Sequence, residues 1–550
     1  VIHMFAGSTY KRLNVSALLF LVFLLTLAGC SNAPAGNQGP VSEISGNSSN
    51  QQEDNTNSEK PADQTKTAAR GGVLKIISGP MPRALGHPAD IISRTETLLS
   101  APAVETLGRY TETGDVAPHL AESWEEDQAA KTITLKLRTG IEFHDGTPFN
   151  AEAVKWNLDQ YRIAKKPVFN ETDTHSIEVI DEHTVQITLA DWNVSMINVI
   201  AVVPMTSQAA FETQGKDAVN LSPVGTGPFI MEEWKQGQFI SFKKNENYWQ
   251  EGLPKLDGIQ FDFIEEPMTA EAAMQKGDYD ILLEPSASTV KNLAGQFDIL
   301  KLENGIGSAG VHLAFNTVDL DSPYRDIKVR QAVGHAIDIK AIINTIYGET
   351  VVQTNQWAAS NAWTYNPDVK GLEYNSEKAK ALLKEAGYED GFTTVMTYAQ
   401  SEADTQMMTA VQSYLADVGI KLKLNPVDGA KFTSIRGPDG GWDGIIKLTS
   451  KMDTEVPTVL NIMLGSKGFM YKSIEPPKAL DDLLEQAATA KNLDELKNYT
   501  HQLQKMITDE QQLTVNLFIS SMPIVKTNNV QGTGLNQTHA AYWSPETATR

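Results

Sequence analysis

The sequence predicts an α/β protein built on more than one hydrophobic core, and three observations carry that prediction. Apolar residues alternate in several short runs, apolar stripes at helical spacing fall between those runs, and the chain has 550 residues. A single core serves roughly 100–200 residues, so this length asks for at least two. No internal repeat is visible.

The elements can be justified in chain order. Lys11 and Arg12 precede an almost wholly apolar run from Leu13 to Leu27. The run is shorter than the roughly 20 residues of a membrane span and has the size of a secretory signal core. It closes on Leu27-Ala28-Gly29-Cys30, and Cys30 is the only cysteine. A large apolar residue, two small ones and a cysteine resemble the lipobox of bacterial lipoproteins. The resemblance implies that residues 1–29 are a signal peptide and that Cys30 is lipidated after cleavage. Ser31 to Ala69 is polar and almost free of large apolar residues. Such a stretch cannot bury enough surface to offset its ordering entropy, so residues 30–70 are expected to be a lipidated cysteine on a disordered tether.

Folding is expected to begin at Gly71-Gly72 with the strand VLKII. In TITLKLR, Ile133, Leu135 and Leu137 share a face, as do Val185, Ile187 and Leu189 in TVQITL. Asn150 after Pro148 is a helix cap, with Val154, Leu158 and Tyr161 on one stripe. Asp338 caps a helix carrying Ile342, Ile343 and Ile346. Ser376 to Ala386 reads as a helix with Gly387 just past its end. Met407, Val411, Leu415 and Val418 form another stripe, closed by Gly419 and followed by the strand-like IKLKL.

Composition excludes several functions. A net charge of -22 opposes nucleic-acid binding, which draws on Lys and Arg, and gives no basic face for anionic lipid. One cysteine allows no internal disulfide. Gly305-Ile306-Gly307-Ser308-Ala309-Gly310 spells G-x-G-x-x-G but runs into the strand-like VHLAFN, not a helix, so it is no dinucleotide turn. No G-x-S-x-G turn, P-loop or H-E-x-x-H helix appears. The ten histidines are scattered, so no metal site, cofactor or catalytic residue is expected.

The segment Leu120–Asp159, with Leu120-Ala121-Glu122-Ser123-Trp124 and Phe143-His144-Asp145-Gly146-Thr147-Pro148-Phe149, resembles the signature region of the family 5 extracellular solute-binding proteins. These are the dipeptide, oligopeptide and nickel receptors of ABC importers. Further similar pieces follow in order: Ser222–Phe229, Asn245–Trp249, Phe315-Asn316, Asp326–Ala332, Ala336-Ile337-Asp338 and Ala379–Gly387. The resemblance implies a two-lobed, type II clam-shell with a discontinuous first lobe. Lobe I is expected over 71–308 and again over 524–550, lobe II over 309–523, with crossings near Ser308-Ala309-Gly310 and Ser521-Met522-Pro523.

The family binds its solute in a closing cleft and delivers it to a permease. Peptide-binding relatives carry an aspartate in lobe II, shortly after a Gly-Trp step, that pairs with the peptide ammonium. Asp453 matches it best, while Thr449 and Ser450 stand where Gly-Trp would be. Trp357, Met81, Arg83 and Arg436 are further candidates for the cleft, and Asp443 is read as structural. The expected protein is thus a monomeric, lipid-anchored receptor on the extracytoplasmic face of the cell membrane. Its expected ligand is a small polar solute, a peptide first. A nickel or metal-chelate receptor, a peptide sensor without transport and an exported hydrolase are the alternatives.

Overall fold

The structure, a computed structural model, describes residues 71–91, 93–111, 115–164, 169, 171, 173–301, 308–452, 456–466, 468, 470–535 and 543–550. The expected signal segment, Cys30, the polar stretch behind it and Asp453 lie outside the described residues.

The first strand, Val73–Ser78, lies at the centre of a seven-stranded sheet, parallel to Gly258–Phe263 on one side and Ile281–Leu283 on the other. Leu74 and Ile76 enter one core and Ile77 the core on the opposite face, as expected of a strand covered on both sides. The sheet then takes in Ile524–Lys526, inserted between Ile281–Leu283 and Asp298–Leu300. A segment near the end of the chain therefore completes the sheet that the first strand began. That is the discontinuous first lobe.

A four-stranded antiparallel sheet extends this lobe, in the order Ala121–Asp127, Thr132–Leu137, Thr184–Leu189, Thr174–Asp181. Ile133, Leu135 and Leu137 do share a face with Val185, Ile187 and Leu189, and all six are buried. Helix Ala151–Ile163 covers them with Val154 and Leu158. Its cap is the expected one, since Ala153 N donates to Asn150 Oδ1 at 3.1 Å.

Lobe I is also pinned by one buried carboxylate. Glu105 has no side-chain exposure. It accepts hydrogen bonds from Tyr248 Oη at 2.7 Å, Thr226 Oγ1 at 2.8 Å and Trp249 Nε1 at 3.0 Å. His119 Nε2 lies 2.7 Å and Arg109 Nη2 3.4 Å from Oε1. Arg109 also donates to Glu546 at 2.7 Å, which ties the C-terminal segment to the same point. Burial alone would raise the Glu105 carboxyl. The charge and hydrogen bond of His119, with Arg109 and Tyr248, outweigh it and hold the group down at about 2.

The second lobe is a six-stranded sheet in the order Val351–Gln353, Thr514–Ser520, Ser308–Phe315, Ile445–Met452, Phe392–Ala399, Ile420–Val427. Met407, Val411, Leu415 and Val418 bury one face of it from helix Glu402–Ala416 and the turn beyond. Ser376–Glu385 is helical, Asn375 caps it, and Gly387 follows at φ +85°. The helix at Asp338 is shorter than its pattern suggests. Four α-helical residues, Ile339–Ile342, give way to a π-helical turn, Ile343–Tyr347, that ends at Gly348. Ser308, Ala309 and Gly310 lie inside a strand, paired with Met452, Lys451 and Ser450. The chain thus enters this sheet by Ser308 and leaves it between Ser520 and Ile524, with Met522 at φ 42°.

Candidate functional site

Strand Ile445–Met452 runs antiparallel to Ser308–Phe315, with Thr449 opposite Val311, Ser450 opposite Gly310 and Met452 opposite Ser308. Gly310 faces Ile519 on its other side, close to the point where the chain leaves the sheet. The last residues of this strand therefore sit where both passages between the lobes converge. Ser450 shares its face with Leu448 and Ile446, is buried, and its Oγ has no hydrogen-bond partner. Thr449 takes the opposite face and is half-buried.

Trp357 stands over the same sheet face. Its ring centroid is 4.2 Å from that of His312, its Nε1 donates to Thr514 Oγ1 at 2.9 Å, and its backbone N donates to Gln504 Oε1 at 2.9 Å. Gln504 Nε2 returns a bond to Trp357 O at 2.9 Å, so the residue is fixed from both sides. His312 is fully buried, and neither ring nitrogen has a partner. Burial, assisted by the Lys447 charge, pushes it down to about 3, so the ring is neutral. Tyr471 continues the cluster at 6.4 Å from His312, and Trp442 packs edge-on to Tyr471 at 6.0 Å. Arg436 places its guanidinium 4.8 Å from the Phe432 ring centre, at the rim of this core. Trp357, Ser450 and Arg436 are thereby gathered on one side of the lobe II sheet.

Met81 and Arg83 belong to lobe I, in the loop after the first strand. Met81 Sδ accepts from Gly237 N at 3.2 Å, and Arg83 Nε lies 3.6 Å from Glu96. Both are exposed. No described hydrogen bond or ion pair joins either of them to the lobe II cluster.

Two further residues lie near the junction and carry no sequence signal that singles them out. Val194, in the loop after strand Thr184–Leu189, packs against the lobe II core that contains Trp357. Arg94 opens helix Arg94–Ser100, behind a capping box formed by Ser93 and Glu96. Its Nε donates to Glu284, whereas Nη1 and Nη2 are buried without any acceptor. Glu284 follows Leu283, the partner of Ile524, and has φ 49°. Helix Ala287–Leu293, just beyond, lies against Gly348–Thr350 of lobe II.

Trp357, His312, Tyr471 and Trp442 are thus packed into the lobe II core, while Ser450 and Arg94 keep buried polar atoms without a partner. Among the described residues, no three His, Cys, Asp or Glu side chains come together to hold a metal ion. No described helix is long and apolar enough to cross a membrane. Two surface recesses, about 720 Å³ beside Lys244–Asp257 and about 510 Å³ between Ile337–Lys340 and Val352–Asn355, are lined by none of Trp357, Ser450, Arg436, Met81, Arg83 and Arg94, although Ile519 borders the second.

Known proteins match this arrangement. A sequence profile described as "Bacterial extracellular solute-binding proteins, family 5 Middle" matches residues 115–471. The glutathione-binding protein GsiB of Salmonella choleraesuis is 34% identical over 348 residues, which cover 59% of this chain. The match spans 64% of that relative's length, a little under two thirds. Among solved structures, the periplasmic binding protein DppA of Helicobacter pylori, in complex with the peptide STSA, superposes with a TM-score of 0.70 at 22% identity. That similarity covers 88% of this chain and 99% of DppA. NikZ of Campylobacter jejuni, in complex with Ni(L-His), gives 0.71 at 20% identity and covers 87% and 99%. The fold they share is the type II clam-shell, and the profile spans well over half of the sequence. The chain is a family 5 bacterial extracellular solute-binding protein.

Proposed function

We propose that the chain is the solute receptor of an ABC importer, and that it encloses a small peptide between its lobes and hands it to a membrane permease. The observation that carries this reading is the junction itself. Strand Ile445–Met452 ends where both interlobe passages meet and carries the unpartnered Ser450 hydroxyl, and the Arg94 fork of lobe I is unpartnered too. Closing the lobes on a polar solute would supply those groups with partners and favour the closed state. DppA, similar in fold, is described with a bound peptide, and GsiB as binding glutathione, itself a modified tripeptide. In this reading lobe I comprises 71–308 and 524–550 and lobe II comprises 309–523. Asp453 pairs with the peptide ammonium, Thr449 and Ser450 shape the floor of the site, and lipid on Cys30 holds a monomer at the outer face of the membrane.

Mass spectrometry of solute released by denaturing the purified full chain tests the reading, followed by titration with short peptides and with nickel–histidine. A co-purifying peptide, or micromolar or tighter binding of short peptides that Asp453→Asn weakens, is the expected result. Binding of the nickel chelate and of no peptide would overturn it.

A further inference from the structure

We infer that Arg94 is the carboxylate anchor of the cleft, so that the receptor selects solutes with a free carboxylate, such as peptides with an unblocked C-terminus. The inference rests on the peptide reading above and names the second charged contact of the same site.

A guanidinium has five N–H donors in a fixed planar fork. In Arg94 the Nε–H is taken by Glu284, and the four donors on Nη1 and Nη2 have no acceptor although both nitrogens are buried. Although the side chain as a whole is 20% exposed, two guanidinium nitrogens buried with their donors idle are costly, and native proteins rarely leave them so. The side chain is also aimed by its surroundings. Ser93 and Glu96 fix the start of its helix, and Leu98 and Leu99 root that helix in the lobe I core. Glu284 holds the inner nitrogen and leaves the outer edge of the fork free, the edge that a carboxylate meets with two parallel hydrogen bonds.

Position supports the same role. Glu284 lies one residue beyond the strand that pairs with Ile524, so the Arg94–Glu284 pair sits beside the second interlobe passage. The segment that follows, Ala287–Leu293, lies against Gly348–Thr350 of lobe II. The Nη atoms are closed to solvent in this arrangement, so a solute reaches them while the lobes are apart and is enclosed when they shut. Glu284, half exposed, keeps its hold on Nε while the incoming carboxylate takes the outer edge of the fork.

The test uses the purified full chain and two mixed tripeptide libraries, one of free acids and one of the same sequences as C-terminal amides. Retained peptides are quantified by mass spectrometry. Wild-type protein is expected to retain acids over amides by about 10- to 100-fold, the worth of a charge-assisted pair. Arg94→Gln should bring the acid-to-amide ratio to about one, whereas Arg94→Lys should keep part of the preference. Equal retention of acids and amides by the wild type would overturn the Arg94 assignment and leave the peptide reading standing. Retention of neither library would overturn the peptide reading, and the assignment with it. The wild-type comparison needs no variant, so a poorly folded Arg94→Gln cannot blunt the test.

Discussion

Replacing Glu105 with glutamine should unfold lobe I more than any other single polar substitution described here. The carboxylate is fully buried and receives Tyr248, Thr226, Trp249, His119 and Arg109 at 2.7–3.4 Å. An amide of the same shape keeps one acceptor oxygen but turns an NH2 group toward donors, and leaves Arg109 and His119 facing no charge. Removing one partner of a buried ionic network typically costs ~3–5 kcal/mol. The acid equilibrium gives an independent figure. The difference between about 4.5 and about 2 for this carboxyl is worth roughly 3 kcal/mol. The two figures agree, and for a lobe-sized unit they correspond to a melting temperature lower by ~6–20 °C. Scanning calorimetry at neutral pH should show the loss in the lobe I transition, with lobe II unmoved. The pH dependence has a definite sign. A carboxyl held below its unfolded value contributes stability that is full above about pH 4.5 and is lost as pH falls through about 2. The gap between wild type and Glu105→Gln should therefore close over that window. A penalty under ~1 kcal/mol, or a gap that persists at about pH 2, would refute the argument.

Three further outcomes are expected. His312 is held neutral at about 3 against about 6.5 in the unfolded chain, so the unfolded state takes up its proton first as pH falls. Stability should be full above about pH 6.5 and should fall by up to ~1.4 kcal/mol per pH unit down to about 3; His312→Leu should flatten that slope in urea melts. Asn150→Ala removes the acceptor of Ala153 N and should cost ~1 kcal/mol in the same assay. Cys30→Ala should move the full chain from the membrane to the soluble fraction, and continued membrane association would contradict the anchor.

How much of this was legible in the sequence depends on the range of the interaction. The six alternating residues from Ile133 to Leu189 and the Asn150 cap follow from local periodicity and short-range hydrogen bonds, and they stand as expected. Similarly, Met407, Val411, Leu415 and Val418 form one buried stripe. The π-helical turn after Ile342 was not legible, because tertiary packing overrides a helical apolar pattern there. The family-like motifs turn out to be largely architectural. Thr226 and Tyr248-Trp249 converge on Glu105, and His144 Nε2 lies 2.9 Å from Gly227 O. Their ligand is the lobe's own interior, which no spacing rule could state.

The candidate site was the least legible part, for a physical reason. Arg94 and Glu284 are 190 residues apart in sequence, and their pairing exists only once helix Arg94–Ser100 is packed on the seven-stranded sheet. Trp357 and His312 likewise meet across separate elements. A lone arginine ahead of a short helix gives no hint of which lobe it faces.

The most direct test of the account is whether a peptide draws the lobes together. Met268 in lobe I and Leu320 in lobe II are strongly exposed, at 76% and 82%, and serve as labelling positions. In a Cys30→Ala background, Met268→Cys and Leu320→Cys carry spin labels without competition from the sole native thiol. The account predicts that a retained tripeptide narrows the distance distribution and shifts it shorter. An unchanged distribution at saturating peptide would contradict capture between the lobes.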